Sequence, residues 1–444
     1  MVTTYDPFDQ AYLDEPALRQ EMDRVFDLCH GCRLCFKYCT AFPTLFEFID
    51  AHDDQDSKKM TPAQQDTVVD ECFNCKLCYI NCPYTPGQHE WELDFPRLML
   101  RAKQARHHHG QVALRDRVTD KILGSTDLLG RVGSASAPVA NAVMGTPDSM
   151  PRKLVEKVTG VSAQRILPPY VRERFSSWFA KRPEFKPQNP NGDALIFTTC
   201  QVEYSETGVG KDLVKVAERN DIRCSVPEGQ QCCGAPFLHE GDLKSFRKQA
   251  EGNVRVLADA VRASEAKGEK ATVVVSQPTC GYVLKKDYVD YLSGPLRQDA
   301  QLVAQNTMDA SEYLMSIHKQ TDGGLDVNFA GEVPEKVTYH APCHLRAQNV
   351  GLKSRDLIKL TGAKPTVVAE CSGIDGMWGL RETNVEISTK VAKKMVSAIE
   401  RAGNDVVVGD CSLANGAIVE QTGSTPMHPV QFMARAYGIS EEGK

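Results

Sequence analysis

Sixteen cysteines stand in this 444-residue chain, and eight of them fall in two short runs. The first, CHGCRLCFKYC, supplies Cys29, Cys32, Cys35 and Cys39. The second, CFNCKLCYINCP, supplies Cys72, Cys75, Cys78 and Cys82, followed by Pro83. Both have the spacing C-x2-C-x2-C-x3-C. Three thiolates two residues apart on a tightly winding loop can each reach a different iron of one cubane, while a fourth beyond the turn points away. Zinc sites usually take C-x2-C pairs over a longer gap, without a third cysteine at the same interval. A disulfide framework suits a short secreted chain. This chain is long, and it opens on MVTTYDPFDQAYLDEP, acidic and polar, unlike a signal peptide. The expectation is two 4Fe–4S clusters, in a protein kept reduced in the cytoplasm.

Most of the other cysteines lie in a different setting. From Asp193 onward strands and helices alternate. ALIFTTC ends at Cys200, IRCSVP leads to the loop QCCGAP with Cys232, Cys233 and Gly234, and ATVVVSQPTC ends at Cys280. The order then repeats: KVTYHAPC ends at Cys343, PTVVAE leads to Cys371, Ser372 and Gly373, and DVVVGDC ends at Cys411. Self-comparison pairs 200 with 343, 232 with 371 and 280 with 411, a tandem repeat. Alternation of this kind predicts open parallel sheets, whose sites form beyond the carboxyl ends of the strands. The first repeat therefore offers Cys200, Cys232, Cys233 and Cys280, enough for a further iron–sulfur cluster. Adjacent thiols can both touch a multi-iron cluster from one loop, and Gly234 lets the backbone come close. The second repeat offers Cys343, Cys371 and Cys411 with His340 and His344 beside them. An iron–sulfur cluster, a zinc ion or nothing remain open there. Cys224 belongs to neither set and reads as a buried small hydrophobe.

The elements that must position these thiols are helical at the start. A helix from Pro16 onward, with Leu18, Met22, Val25 and Phe26 on one face, leads into the first run. A second is expected over 90–106. Residues 107–190 hold no cysteine, and the consecutive His107, His108 and His109 suit a solvated turn better than a metal site. Residues 97–182 carry 16 Lys and Arg against 6 Asp and Glu, in a chain of net charge −6. Phe175, Trp178 and Phe179 lie among Arg172, Arg174, Lys181 and Arg182. Nucleic-acid binding is set aside, because the whole chain is acidic and no binding motif appears. The basic stretch suits a membrane-surface or partner-docking face, or a structural connector. No run approaches 18 apolar residues, so no spanning helix is expected. The division expected is 1–106, 107–190 as a basic helical connector, 191–330 and 331–444.

The doubled cysteine run resembles the two-cluster ferredoxins. That resemblance implies crossed fourth ligands: Cys29, Cys32, Cys35 and Cys82 for one cluster, and Cys72, Cys75, Cys78 and Cys39 for the other. Thr40, not proline, follows Cys39, with Pro43 three residues on. The doubled run followed by CCGAP, HAPCHLR and CSGIDGMWG resembles the cysteine-rich CCG family, from Cys29 to about His428. This family includes the third subunit of anaerobic glycerol-3-phosphate dehydrogenase, which looks the most similar group, the iron–sulfur subunit of glycolate oxidase, and heterodisulfide reductase. The resemblance implies an α+β multidomain fold: an N-terminal α-helical ferredoxin-like domain, then two tandem α/β CCG repeats with parallel sheets. It also implies electron transfer from a flavin-bearing dehydrogenase through clusters to a quinone or other acceptor, with peripheral contact at the inner face of the membrane as one possibility. No glycine-rich dinucleotide fingerprint follows a predicted strand, which puts the FAD in a partner. Two departures matter. Heterodisulfide reductase has C-x2-C at the last position of each repeat, where Cys280 and Cys411 stand alone, and Ser372 replaces a cysteine. An electron-transfer protein without catalysis of its own is the first reading. A disulfide reductase using the Cys232–Cys233 site is the second, and a zinc scaffold the third. His340 serves either as a ligand or as a hydrogen-bonding orienter of its loop.

Overall fold

A computed structural model describes residues 4–320 and 324–439. The chain divides into two compact units, residues 1–121 with 236–246, and residues 122–235 with 247–444.

In the first unit the leading helix spans Glu15–Cys32. The Asp14 side chain accepts from the Ala17 N–H, and Pro16 occupies the first turn, where no amide donor is needed. Leu18, Met22, Val25 and Phe26 are buried along its inner face. The helix runs further than a winding loop would allow, so Cys29 and Cys32 ride on its last turn. Arg33 then takes a left-handed conformation (φ 54°) that swings Cys35 back. The second run is more irregular. Helix Pro62–Asp70, opened by a Thr61–Gln64 capping box, ends just before Cys72. Asn74 (φ 49°) and Lys76 (φ 63°) are left-handed, and the short helix Leu77–Ile80 carries Cys78. Such positions cost about 1 kcal/mol or more each for residues with a Cβ, so surrounding contacts hold them. Phe42 and Phe95, with ring centroids 4.6 Å apart, join Phe26 and Phe46 in the core between the two runs. The last long helix spans Phe95–His108. His107 and His108 therefore lie in its final turn and not in a separate solvated turn, and His109 Nε2 donates to the Leu13 carbonyl at 2.8 Å.

The second unit contains two parallel sheets. The first is built from β1 (Gly192–Phe197), β2 (Ile222–Ser225), β3 (Ala271–Val275) and β4 (Thr307–Asp309), in the order β2-β1-β3-β4. The second comprises β5 (Lys336–His340), β6 (Lys364–Val368) and β7 (Val407–Gly409), in the order β6-β5-β7. All pairs are parallel, as the alternation predicts. In both, the earliest strand lies between the next two, so the chain leaves it to one side and returns on the other. That reversal leaves a crevice at the carboxyl edge. The core spans both repeats. Val209, Leu213 and Val216 of helix Thr207–Arg219 pack with Val430, Met433 and Tyr437 of helix Pro429–Tyr437, near the end of the second repeat. Each fully buried aliphatic side chain of this kind contributes about 1.5–3 kcal/mol.

Candidate metal centres

In the first unit the eight run cysteines gather in two cavities. Cys29, Cys32, Cys35 and Cys82 line one, with Leu28, Leu34 and Leu93. Cys39, Cys72 and Cys75 line the other, with Tyr38 and Phe73. Cys78, Phe42 and Phe95 border both. Burial pushes the Cys29, Cys39 and Cys78 thiols well above their ordinary range, and neighbouring cysteines push the same way. For Cys78 those neighbours are Cys75 and Cys72, then Cys35 and Cys39. Burial likewise lifts Cys35 to about 12. Four thiolates crowded into an apolar cavity repel one another strongly, so a donor set of this kind fits a cationic metal core that offsets their charge. Among the described residues, no three His, Cys, Asp or Glu side chains meet in the arrangement needed to hold a single metal ion. Thiols spread around a cavity fit a polynuclear group better than one ion.

The first repeat draws its four thiols together from three strand ends. Cys200 opens the helix Cys200–Tyr204 after β1, Cys232 and Cys233 lie in the loop after β2, and Cys280 sits in helix Pro278–Tyr282 after β3. The sulfurs form a chain of contacts, Cys200 to Cys232, Cys232 to Cys233 and Cys233 to Cys280. Donation from Cys200, then from Cys233 and the Gly234 N–H, holds the Cys232 thiol well below its ordinary range, while Cys200 and Cys233 are held well above theirs. Gly234 has φ 86°, a conformation that a side chain would strain. Behind the loop stands a polar frame. Asn253, on helix Leu243–Glu265, accepts from the Gln231 N–H at 2.8 Å and donates to the carbonyls of Gln231 and Cys232, both at 3.1 Å. Tyr288 donates to the Cys233 carbonyl at 3.0 Å, and Asp127 accepts from the Cys232 N–H at 2.7 Å. A cleft of about 870 Å³ opens onto Cys200 and Cys232, with Arg131, Arg174, Tyr204 and Gln230 in its walls.

The second repeat places its residues at the matching strand ends without the same convergence. Cys343 opens helix Cys343–Ala347, Cys371 follows β6, and Cys411 precedes helix Ser412–Thr422. Burial lifts Cys371 and Cys411 to about 11 each. Against this, Cys371 Sγ accepts from the Gly373 N–H at 3.3 Å, and N–H groups of Ala414 and Leu413 favour the Cys411 thiolate. His340 is buried at the end of β5, and burial lowers its pKa to about 4, so the ring is neutral. Its Nε2 donates to the Glu370 carbonyl at 3.0 Å, and its buried Nδ1 has no hydrogen-bond partner. In that tautomer Nδ1 keeps a lone pair, so one ring can both orient the Cys371 loop and serve as a ligand. His344 is engaged elsewhere, through Nδ1 with the Thr279 hydroxyl at 2.8 Å. Cys224 lies half-buried in β2 against the core, its thiol raised by burial.

The two sets of loops are clamped together. The Ser412 N–H donates to Gln277 Oε1 at 3.1 Å, Gln277 Nε2 donates to the Ser412 hydroxyl, and that hydroxyl donates to Glu206. Gln348 Nε2 donates to the Pro278 carbonyl at 3.1 Å. The loop that presents Cys280 is thus held by residues beside Cys343 and Cys411. Sequence reasoning missed Asp127, Asn253, Tyr288 and this clamp. Asn253 alone left a trace, as a polar residue within the buried stripe Ala250, Val254, Leu257 and Val261.

The family described as "Cysteine-rich domain" (CCG) matches residues 194–285 and 337–414. The second unit therefore contains two cysteine-rich domains in tandem, one in each repeat. The chain is similar to the third (C) subunit of anaerobic glycerol-3-phosphate dehydrogenase of Escherichia coli (strain K12), 28% identical over 322 residues, 71% of this chain and 76% of that protein. It is also similar to lactate utilization protein A 2 of Bacillus mycoides, 28% identical over 237 residues, 51% of this chain and 92% of that protein. The second (B) subunit of the fumarate reductase (CoM/CoB) of Methanothermobacter marburgensis is 31% identical over 229 residues, 50% of this chain and 41% of that protein.

Proposed function

We propose that the chain is an iron–sulfur electron-transfer subunit that takes electrons from an FAD-containing dehydrogenase and passes them towards a quinone or another acceptor. The gathering of the eight run cysteines into two thiol-lined cavities carries this reading. Cys29, Cys32, Cys35 and Cys82 would hold one 4Fe–4S cluster of a helical ferredoxin-like domain, and Cys39, Cys72, Cys75 and Cys78 the other. Cys200, Cys232, Cys233 and Cys280 would hold a third cluster. Cys343, Cys371 and Cys411, with His340, form a different site for iron–sulfur or zinc. Such clusters supply one-electron transfer. The protein's own part is to fix the thiolates, exclude water with Phe42 and Phe95, and set the surroundings by hydrogen bonds such as those of Asn253 and Tyr288. The similarity to one subunit of glycerol-3-phosphate dehydrogenase supports a flavoprotein donor. Among the described residues no helix is long and apolar enough to cross a membrane. A cytoplasmic protein with peripheral contact at the membrane fits this reading.

Protein purified without oxygen should hold about eight irons from the first unit and about twelve with the third cluster. Two zincs and no iron would overturn the proposal. Cys39→Ser should disturb the cluster of Cys72, Cys75 and Cys78. Selective loss of the Cys29, Cys32 and Cys35 signal instead would refute the crossed ligand sets.

The cleft beside Cys200 and Cys232 favours one second reading, a thiol–disulfide reductase in which a substrate enters there. Given reduced viologen, wild-type protein should then cleave a disulfide and Cys233→Ser should not. Inactivity towards several disulfides, together with stimulated quinone reduction by a flavoprotein, would leave the carrier reading.

A further inference from the structure

Three successive helices of the second unit turn their large aliphatic residues outward. Helix Thr126–Ala135 exposes Leu128 and Val132, helix Ala137–Met144 exposes Val139, and helix Met150–Thr159 exposes Met150, Leu154 and Val158. These six side chains are 59–79% exposed. Spacings of four residues put Leu128 and Val132, and Met150, Leu154 and Val158, in a stripe along each helix. What faces inward is small or polar. Gly130 and Gly133 are buried, and a Cβ on them would collide with the Tyr204 and Tyr170 rings. Arg152 is fully buried, donating to the carbonyls of Ser162 at 2.6 Å and Arg165 at 3.0 Å. The usual pattern of a surface helix, apolar inward and polar outward, is reversed. Large apolar patches left in water mark a binding surface.

We propose that these three helices seat the protein on the surface of an anionic membrane. Charge favours lipid as the occupant. Exposed Arg131, Lys153 and Lys157 lie on the same helices as the aliphatic stripes. The acidic residues of these helices, Asp127 and Glu156, are half-buried and accept from the Cys232 and Ala163 N–H groups. Aliphatic residues flanked by cations suit acyl chains beneath anionic headgroups. Protein interfaces are instead enriched in aromatic anchors, and the stripes contain none. Leu128 and Arg131 also line the cleft that reaches Cys200 and Cys232, so the seating surface adjoins the way into that site. The proposal deepens the electron-carrier reading by naming the surface on which the carrier works.

The test is flotation of the full-length holoprotein with vesicles of phosphatidylcholine alone or with about 30% phosphatidylglycerol. Wild type should float with the anionic vesicles. Val132→Asp/Leu154→Asp/Val158→Asp should bind about tenfold or more weakly, with iron content and helical circular dichroism unchanged. Leu154→Asp alone should show a smaller loss in the same direction, and it carries the test if the triple variant does not fold. Lys153→Gln/Lys157→Gln should weaken binding at low salt and match wild type at about 0.5 M salt, where exposed charges are screened. Wild type that floats with neither vesicle overturns the proposal, as does an aspartate variant that floats like wild type. So does a variant that keeps vesicle binding but loses a flavoprotein partner or a second copy of this chain, which would assign the face to that protein. Iron content is read separately, so failure to float leaves the electron-carrier reading standing, and loss of iron refutes that reading without touching the surface.

Discussion

The two cysteine-rich repeats share a strand order and differ in what their loops deliver. In the first, three strand ends bring four thiols into a chain of contacts beside an open cleft. In the second, the equivalent strand ends bring three cysteines and a buried neutral histidine. One substitution in the loop after the second strand of each repeat makes much of this difference. Cys232–Cys233–Gly234 offers two thiols where Cys371–Ser372–Gly373 offers one. Gly234 and Gly373 both have positive φ, so the loop shape is retained while its ligand capacity changes. A duplicated scaffold can thus keep its backbone and lose one centre's chemistry, because packing sets the backbone and a few loop side chains set the site.

The largest test of this contrast is the metal inventory. Cys233→Ser should remove about a third of the iron and spare the signals of the first unit, whereas Cys371→Ser should change total iron little. Equal losses would mean that the repeats hold equivalent centres.

The frames behind the two loops should differ next. Asn253→Leu leaves the Gln231 N–H and two loop carbonyls without their partner, and should cost about 2–4 kcal/mol in stability and shift the potential of the first repeat's centre. His340→Phe removes one hydrogen bond in the second repeat, at about 1–2 kcal/mol. Urea titrations of the two variants would rank them. Metal retained after His340→Phe would make the histidine an orienter, and metal lost after both His340→Phe and His340→Gln would make it a ligand.

The clamp tests whether the contrast depends on contact between the repeats. Gln277→Leu cuts both hydrogen bonds to Ser412 and should lower stability by about 1–3 kcal/mol. If the clamp positions Cys280, the spectrum of the first repeat's centre should change as well. An unchanged spectrum with lowered stability would show two sites that are joined but independent.

The smallest effect concerns buried carboxyls at the ends of β4 and β7. Burial, then the charge of Asp410, raises Asp309 to about 8, and burial raises Asp410 to about 6. The Ser354 and Tyr339 hydroxyls both donate to Asp410. An unfolded Asp titrates near pH 4, so between roughly pH 4 and pH 8 the folded protein holds a proton that the unfolded chain has released. Stability from this group is therefore lost as pH rises through that window. Asp309→Asn should raise the melting temperature by a few degrees at pH 8 and by little at pH 4. A gain independent of pH would contradict this origin.

Much of the site's inventory was written locally. Cysteine spacing singled out the two runs, because three thiols spaced two residues apart can approach one cluster from a single short segment. Strand–helix alternation gave parallel sheets, and the self-similarity of the cysteine positions gave the tandem repeat, because β1–β3 and β5–β7 follow the same strand order with a cysteine beyond each strand end. What the sequence could not reveal depends on residues far apart in the chain. Asp127 meets the Cys232 backbone across 105 positions, and Gln277 meets Ser412 across 135. No local period marks such pairs. The outward aliphatic stripes were hidden for the opposite reason: the four-residue spacing of Leu128 and Val132, and of Leu154 and Val158, is the same for an inward and an outward face. Only tertiary packing, with Gly130 and Gly133 pressed against tyrosine rings and Arg152 buried among carbonyls, determined which side of each helix met solvent.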